Sequence, residues 1–377
     1  MQNNINEQTT VISSSTRFWL CFLMSALLLT GLSFTAAGQG YQQVNLVSDL
    51  PGVAQLQDTN LVNAWGISFS SSSPFWVSDN GTGKATLYSV TNDAQGSAHV
   101  SKVALEVNIP GEGNPTGQIF NNLGGFHGDV FIFASEDGTI SGWRNALGTN
   151  AEVLAMRSGA VYKGLALTGT SNAPVLLAAN FSEATVDAYS GNGTNITLVG
   201  QFSDPHAPVG YAPFNVQPVS GMIFVTFAKQ DAERHDDVAG RGHGLIDVFN
   251  PATGVFHRFA TGLDAGGRLP FINSPWGVAL APSTFGKHAN QLLVGNFGSG
   301  TIMAFDAAGR FQGLLQDVEG EPIVIGGLWA LTFGNGGRAG VPDTLYFSSG
   351  PDGESHGLFG SLAPVNEDRQ DNEDSQD

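Results

Sequence analysis

Asn63-Ala64-Trp65-Gly66-Ile67-Ser68-Phe69-Ser70 opens a pattern that the chain repeats. Its first four residues return as Asn114-Pro115-Thr116-Gly117 and Ser274-Pro275-Trp276-Gly277, and more loosely as Gly327-Leu328-Trp329-Ala330. Each opening leads into a short apolar run, a second and more hydrophobic run, a polar loop, and a third run ending in an aromatic residue. Short runs rich in Val, Ile, Phe and Tyr, bounded by Gly, Asn, Asp and Pro, are strand signals. The matching positions Gly66, Gly117, Gly164, Gly277 and Ala330 recur at roughly 50 residues, with one doubled gap that holds a further repeat beginning near Phe214. A period of that length with four strands per unit is a propeller pattern.

Five repeats show a weaker fourth strand, and the sixth ends at Leu362 without one. Gln42 to Val47 supplies the missing strand from the other end of the chain. The expected fold is therefore all-β: a six-bladed β-propeller with four-stranded blades, its ring closed by the mature N-terminal strand. Closure removes the free sheet edges that invite aggregation.

Residue usage agrees. The 377-residue chain has 50 glycines, 41% apolar residues and only 13% charged residues, which suits strands and turns rather than a helical bundle. The formal net charge is −18, with Lys and Arg totalling 15. No basic stripe is present to meet phosphates, so nucleic acid and anionic membrane surfaces are disfavoured as partners. The single cysteine, Cys21, lies in the N-terminal apolar run. The rest of the chain therefore has no disulfide, thiol nucleophile or thiolate metal site.

Residues 1–38 read as an export signal. Arg17 precedes the apolar stretch Phe18 to Phe34, and Thr35-Ala36-Ala37-Gly38 offers small residues for cleavage. An uncleaved anchor is the alternative, because this stretch approaches the length of a minimal span. Residues 39–365 form the propeller, expected as a monomer without a membrane span. Residues 366–377 form an acidic tail of the solvated kind. The expected location is secreted, periplasmic or cell-surface.

In a propeller, the loop leading into the first strand and the loop joining strands two and three open on one face around the axis. The first set supplies Asn63, Asn114, Lys163, Asn273 and Trp329. The second supplies Asp79-Asn80, Glu136-Asp137, Asn180, Asn296 and Asp352 through His356. Asn63, Asn114, Asn180, Asn273 and Asn296 form a candidate oxygen-rich ring for Ca²⁺ or another divalent cation; singly, such residues are also ordinary turn formers. The fourth repeat carries the longest and most charged loop, Lys229 to Gly244. It is either a solvated excursion or a functional loop. Its His235, Asp236 and Asp237, with His356 facing it across the channel, are the candidate general bases. Lys229, Asp231, His243, Asp352, Glu354, Trp329 and Tyr211 are candidate ligand-rim residues. Trp65, Trp276 and Trp329 either line the rim or pack between blades. The proline-rich Asp204 to Val216 segment is a rigid crossing between repeats three and four. No Gly-x-Ser-x-Gly elbow, zinc-protease, EF-hand, Walker or dinucleotide motif is present.

Several segments together resemble a family of exported bacterial proteins of uncharacterised function. They include Asn45-Leu46-Val47-Ser48-Asp49, Gly210-Tyr211-Ala212-Pro213-Phe214-Asn215, Ala228-Lys229-Gln230-Asp231 and His235-Asp236-Asp237-Val238-Ala239-Gly240. Leu293-Val294-Gly295-Asn296-Phe297-Gly298, Gly326-Gly327-Leu328-Trp329-Ala330-Leu331 and His356-Gly357-Leu358-Phe359-Gly360 complete the set. The resemblance spans about residues 41–362. It implies a propeller similar in pattern to the NHL and gluconolactonase-like groups, and it carries no catalytic residues across.

Two functions fit these residues. One is a binding module that holds a ligand, glycan or protein partner at the channel rim, with or without a central cation. The other is a metal-dependent hydrolase or lyase, for instance a lactonase.

Overall fold

All six inner strands carry an irregularity at the same place. The register slips between Ala64 and Ile67 in Ala64–Ser68, between Pro115 and Gln118 in Pro115–Phe120, and between Tyr162 and Leu165 in Tyr162–Thr170. It slips again between Pro213 and Asn215 in Tyr211–Val219, between Pro275 and Val278 in Pro275–Leu280, and between Leu328 and Leu331 in Leu328–Phe333. A bulge bends its strand and increases the local twist, and here six bends turn the inner strands around one axis. The glycines of the repeat sit at these bends because adjacent inner strands almost touch. A Cβ would lie 2.5 Å from the Thr116 carbonyl oxygen at Gly66, 2.6 Å from Gly164 Cα at Gly117, and 2.5 Å from the Trp329 carbonyl oxygen at Gly277.

The computed structural model describes residues 40–192, 196–262 and 272–365; the expected signal and the acidic tail lie outside the described residues. Blades 1 to 5 are antiparallel sheets that run outward from their inner strands in chain order. Blade 1 holds Ala64–Ser68, Phe75–Asp79, Lys84–Asn92 and Ala98–Lys102, with the short Val107–Asn108 paired to its third strand. Blades 2 to 5 have four strands each. Blade 6 holds Leu328–Phe333, Leu345–Ser349 and Leu358–Pro364, and its fourth strand is Tyr41–Ser48. The N-terminal strand thus closes the ring as the sequence indicates. Inner strands contact in ring order, the last meeting the first. Among the described residues there is no α-helix, and no helix is long and apolar enough to cross a membrane.

Hydrophobic burial is divided between the blade interfaces. Leu87, Phe131 and Trp143 pack between blades 1 and 2, Leu177, Val225 and Phe249 between blades 3 and 4, and Phe75, Tyr346 and Phe359 between blades 6 and 1. A separate cluster, containing Trp65, Phe181, Phe214, Trp276 and Trp329, lies where the inner strands begin. Along the axis lies a cavity of 40 Å³, lined by residues from all six inner strands.

The blades also bury acids. Asp79, Asp129 and Asp247 are buried, and burial raises the pKa of each. Asp247 is pushed up to about 7 despite the Arg258 guanidinium beside it. An acid whose folded pKa is raised contributes stability that is full below its unfolded value and lost as pH rises through its folded value. For Asp247 that window runs from 3.8 to about 7.

Two outcomes follow. Gly117→Ala should destabilise the fold by about 1–3 kcal/mol in urea unfolding, because the methyl group meets backbone rather than a movable side chain. Stability should also fall as pH rises from 3.8 to about 7, and the fall should be shallower in Asp247→Asn. An equal slope in that variant would remove Asp247 as its source.

Candidate functional site at the channel mouth

The charged loop of blade 4 folds back on itself and then over the axis. Asp231 holds the turn: its backbone N–H donates to the Asp236 carbonyl at 2.9 Å, and its Oδ1 accepts from the His235 N–H at 2.9 Å. The Val238 N–H donates to the Lys229 carbonyl at 2.8 Å, and His243 Nδ1 lies 2.6 Å from the Val238 carbonyl. These bonds carry Asp236 to Lys163, at the start of the blade 3 inner strand.

Lys163 is the centre of the arrangement. Its side chain is 2% exposed, and its ammonium donates to Glu136 and to Asp236 Oδ1, the latter at 3.1 Å. The nitrogen also stands 5.2 Å over the Trp65 ring, a favourable position for a cation. Burial opposes the lysine's charge, but Glu136 and Asp236 outweigh it and hold its pKa above the ordinary value.

From this ion pair a hydrogen-bonded collar runs around the mouth. Asn80 Nδ2 donates to Glu136 Oε2 at 3.0 Å, and Asn63 Nδ2 donates to Asn80 Oδ1 at 3.2 Å and to Glu354 Oε2 at 2.7 Å. Trp329 Nε1 donates to Asn63 Oδ1 at 2.9 Å. On the other side, the Gly240 N–H donates to Asn273 Oδ1 at 2.6 Å, and the Asn273 N–H donates to Asn296 Oδ1 at 2.9 Å. Trp276 Nε1 donates to the Lys163 carbonyl at 3.1 Å. All six blades contribute.

The residues selected from the sequence divide accordingly. Asn63, Asp236 and Glu354 are collar residues, and His235 joins them, with Nδ1 3.0 Å from Asp236 Oδ1. Asp237 lies next to this group. Glu136 and Lys163 are rim positions in the sequence, yet no linear pattern marks them as an ion pair. The asparagines do not present free amide oxygens as a ring. Those of Asn63, Asn273 and Asn296 accept the bonds just given. Asn180 turns into blade 3, where its Nδ2 meets Asp187 and its Oδ1 accepts from Ser182. Asn114 accepts the Glu136 N–H at its backbone carbonyl.

Trp329 is 1% exposed and stacked on Trp65 at a ring separation of 3.6 Å. It is floor rather than rim, because the indole buries its ring and gives its N–H to Asn63. His356 faces away from the blade 4 loop: its Nδ1 is 2.7 Å from Asp49 Oδ2, at the end of the ring-closing strand. Asp49 captures it by also accepting the Gly357 N–H. His243 and Asp231 brace the loop. Lys229 ends a blade 4 strand, Asp352 is exposed, and Tyr211 donates its hydroxyl proton to the Gly242 carbonyl at 3.2 Å.

The carboxyl groups around the mouth are biased in opposite directions. Burial raises Glu354, with the Asn63 hydrogen bond acting against it, and burial also raises Asp237. Burial works the same way on Asp236, but Lys163 and His235 outweigh it and hold Asp236 below the usual carboxylate range. Separately, donor atoms of Glu136, His235 and Asp236 lie within 4.8 Å of one another.

This geometry defines a six-bladed β-propeller with a polar collar above an aromatic plug. No family model matches the chain. Two uncharacterised proteins of Acanthamoeba polyphaga mimivirus are similar along most of their length. Protein R648 is 28% identical over 341 residues, covering 84% of this chain and 78% of the relative. Protein L690 is 27% identical over 340 residues, covering 84% of each. These relatives are viral, whereas the sequence segments above resemble exported bacterial proteins. Among solved structures, an auxiliary nutrient binding protein from Bacteroides thetaiotaomicron is similar with a TM-score of 0.51 at 10% identity, covering 81% of this chain and 70% of that one. A streptogramin B lyase gives 0.47 at 11% identity, covering 86% and 97%. At such identities the likeness concerns the fold alone.

Removing the Lys163 ammonium leaves the largely buried Glu136 carboxylate without its partner. Lys163→Met should therefore cost about 3–5 kcal/mol of stability. The double variant Lys163→Met/Glu136→Gln should lose less than the sum of the single changes. Urea unfolding of the three variants measures this, and strict additivity would show that the two groups do not depend on each other.

Proposed function

We propose that this chain is an exported propeller that binds a ligand at the channel mouth. The observation that carries the reading is the collar itself. Side chains from all six blades are tied into one network, and Glu136, His235 and Asp236 bring donor atoms within 4.8 Å of one another. A rigid scaffold presenting convergent polar groups is the usual form of a small-ligand site. The export signal read in residues 1–38 supports a secreted, periplasmic or cell-surface location. The acidic balance supports a glycan, small polar molecule or protein group over nucleic acid.

A divalent cation belongs to this reading as a co-ligand. An imidazole with two carboxylates suits a transition ion better than Ca²⁺, which prefers oxygen donors alone. Such an ion shares Glu136 and Asp236 with the Lys163 ammonium, so its binding is weakened by that internal competitor.

A catalytic reading is favoured by one observation, the opposite proton bias of Glu354 and Asp236 in one collar. Two acids whose environments push their pKa values apart can divide acid and base roles. In a lactone hydrolysis, Asp236 with His235 takes a proton from water, and the water oxygen adds to the carbonyl carbon. The ring oxygen then leaves with a proton from Glu354.

The test is metal analysis of the purified mature protein, thermal melting with and without a chelator, and a screen of glycans, lactones and esters. We expect ligand binding that Asp236→Asn weakens about tenfold or more, beyond the modest loss of melting temperature that follows from removing one of the two carboxylates on Lys163. Turnover of a lactone, lost in Glu354→Gln, would select the hydrolase. Ligand binding unaffected by Asp236→Asn would place the site elsewhere.

A further inference from the structure

A second cavity, of 250 Å³, lies between the proline-rich crossing and the blade 4 loop. Ala207, Pro208, Val209 and Tyr211 give it a small apolar side, Phe227 lies buried beneath, and Asp204, Gln230 and Arg234 make the rest of its lining polar. Tyr211, a rim candidate in the sequence, lines this cavity. The crossing is stiff, because Pro205, Pro208 and Pro213 each fix a backbone angle. Asp204 anchors it, accepting from the His206 N–H at 2.8 Å and pairing with Arg258 at 2.9 Å. A wall fixed before a ligand arrives lowers the ordering cost of binding.

Arg234 gives the cavity its chemistry. Arg144, Arg157, Arg258 and Arg310 each form an ion pair with a carboxylate. The Arg234 guanidinium has no ion-pair or hydrogen-bond partner among the described residues. Arg234 is exposed to solvent, so among the described residues its charge is left available to a ligand in this acidic chain. Its backbone is held in the left-handed region at φ 59, a conformation that persists in a non-glycine residue only where the surroundings impose it. Those surroundings are the Asp231 bonds that shape the loop. The other polar groups of the cavity are already engaged. Gln230 Nε2 donates to the Phe181 carbonyl, the Tyr211 hydroxyl to Gly242, and Asp204 is held by Arg258.

We propose that this cavity binds a small organic anion, with an apolar body against Pro208, Val209 and Tyr211 and a carboxylate on Arg234. The planar fork of a guanidinium matches a carboxylate in two parallel hydrogen bonds. The volume admits a ligand about the size of a phenyl ring with a short acidic arm. The assignment does not depend on the function of the channel mouth.

Ligand-observed NMR with the full mature chain tests it, using phenylacetate and, as the probe of similar shape and opposite charge, phenethylamine. We expect saturable phenylacetate binding in about the millimolar range, weakened by added salt, and little binding of phenethylamine. Arg234→Ala should weaken phenylacetate about tenfold or more. Arg234→Lys should keep part of the affinity, and Arg310→Ala, at a remote exposed arginine, should keep all of it. Melting curves confirm that each variant is folded. Equal binding of the two probes, wild-type affinity in Arg234→Ala, or no saturable signal from phenylacetate would each overturn the proposal.

Discussion

Everything in this molecule hangs on the near-contact of six bent inner strands. Gly66, Gly117 and Gly277 stand where a Cβ would strike the next blade's backbone, and a bulge at each matching position turns the strand around the axis. Close packing at the axis leaves a 40 Å³ cavity where all six inner strands meet. The entry loops are thereby drawn to one small mouth, where side chains from opposite blades come within hydrogen-bonding reach. Asn63 and Ser274 adopt the same left-handed φ of 47 just before their inner strands, and Gly327 takes φ 64 at the matching position. The repeat therefore extends to the backbone conformation of the rim.

The mouth shows how a scaffold of low charge content concentrates its charges. A lysine that is almost wholly buried is tolerable only with carboxylates beside it and hydrogen bonds satisfied around it. Lys163 meets both conditions through Glu136 and Asp236, and Trp65 adds its ring face. Asp236 in turn depends on the blade 4 loop, whose shape depends on Asp231. The ion pair therefore couples a surface loop to the core of the ring. Glu354 lies at the far end of the same chain of bonds, linked through Asn63 and Asn80, and feels the opposite electrostatic bias because no cation touches it.

His356 illustrates a different use of a charged pair. Its contact with Asp49 joins the loop of blade 6 to the end of Tyr41–Ser48, the strand that closes the ring. A residue that reads as a candidate base in the sequence thus fastens the closure, and the same loop sends Glu354 to the mouth instead. The two lie only two residues apart, and the left-handed backbone at Asp352 and Glu354 separates their directions.

The sequence by itself determined the architecture. Strand order, the six-fold repeat, the glycine at four of the six axial contacts and the N-terminal closing strand all follow from local patterns, because strand alternation and backbone crowding act over a few residues at a time. It also named the rim positions, since loops of one kind must emerge on one face. Tertiary structure decided which rim residues meet. The Lys163–Glu136–Asp236 cluster joins three blades, Trp329 is covered because Trp65 from the neighbouring blade stacks on it, and Asn180 turns inward to Asp187. Such pairings depend on distances across the ring, set by the curvature of six blades together, and no spacing along the chain encodes them directly.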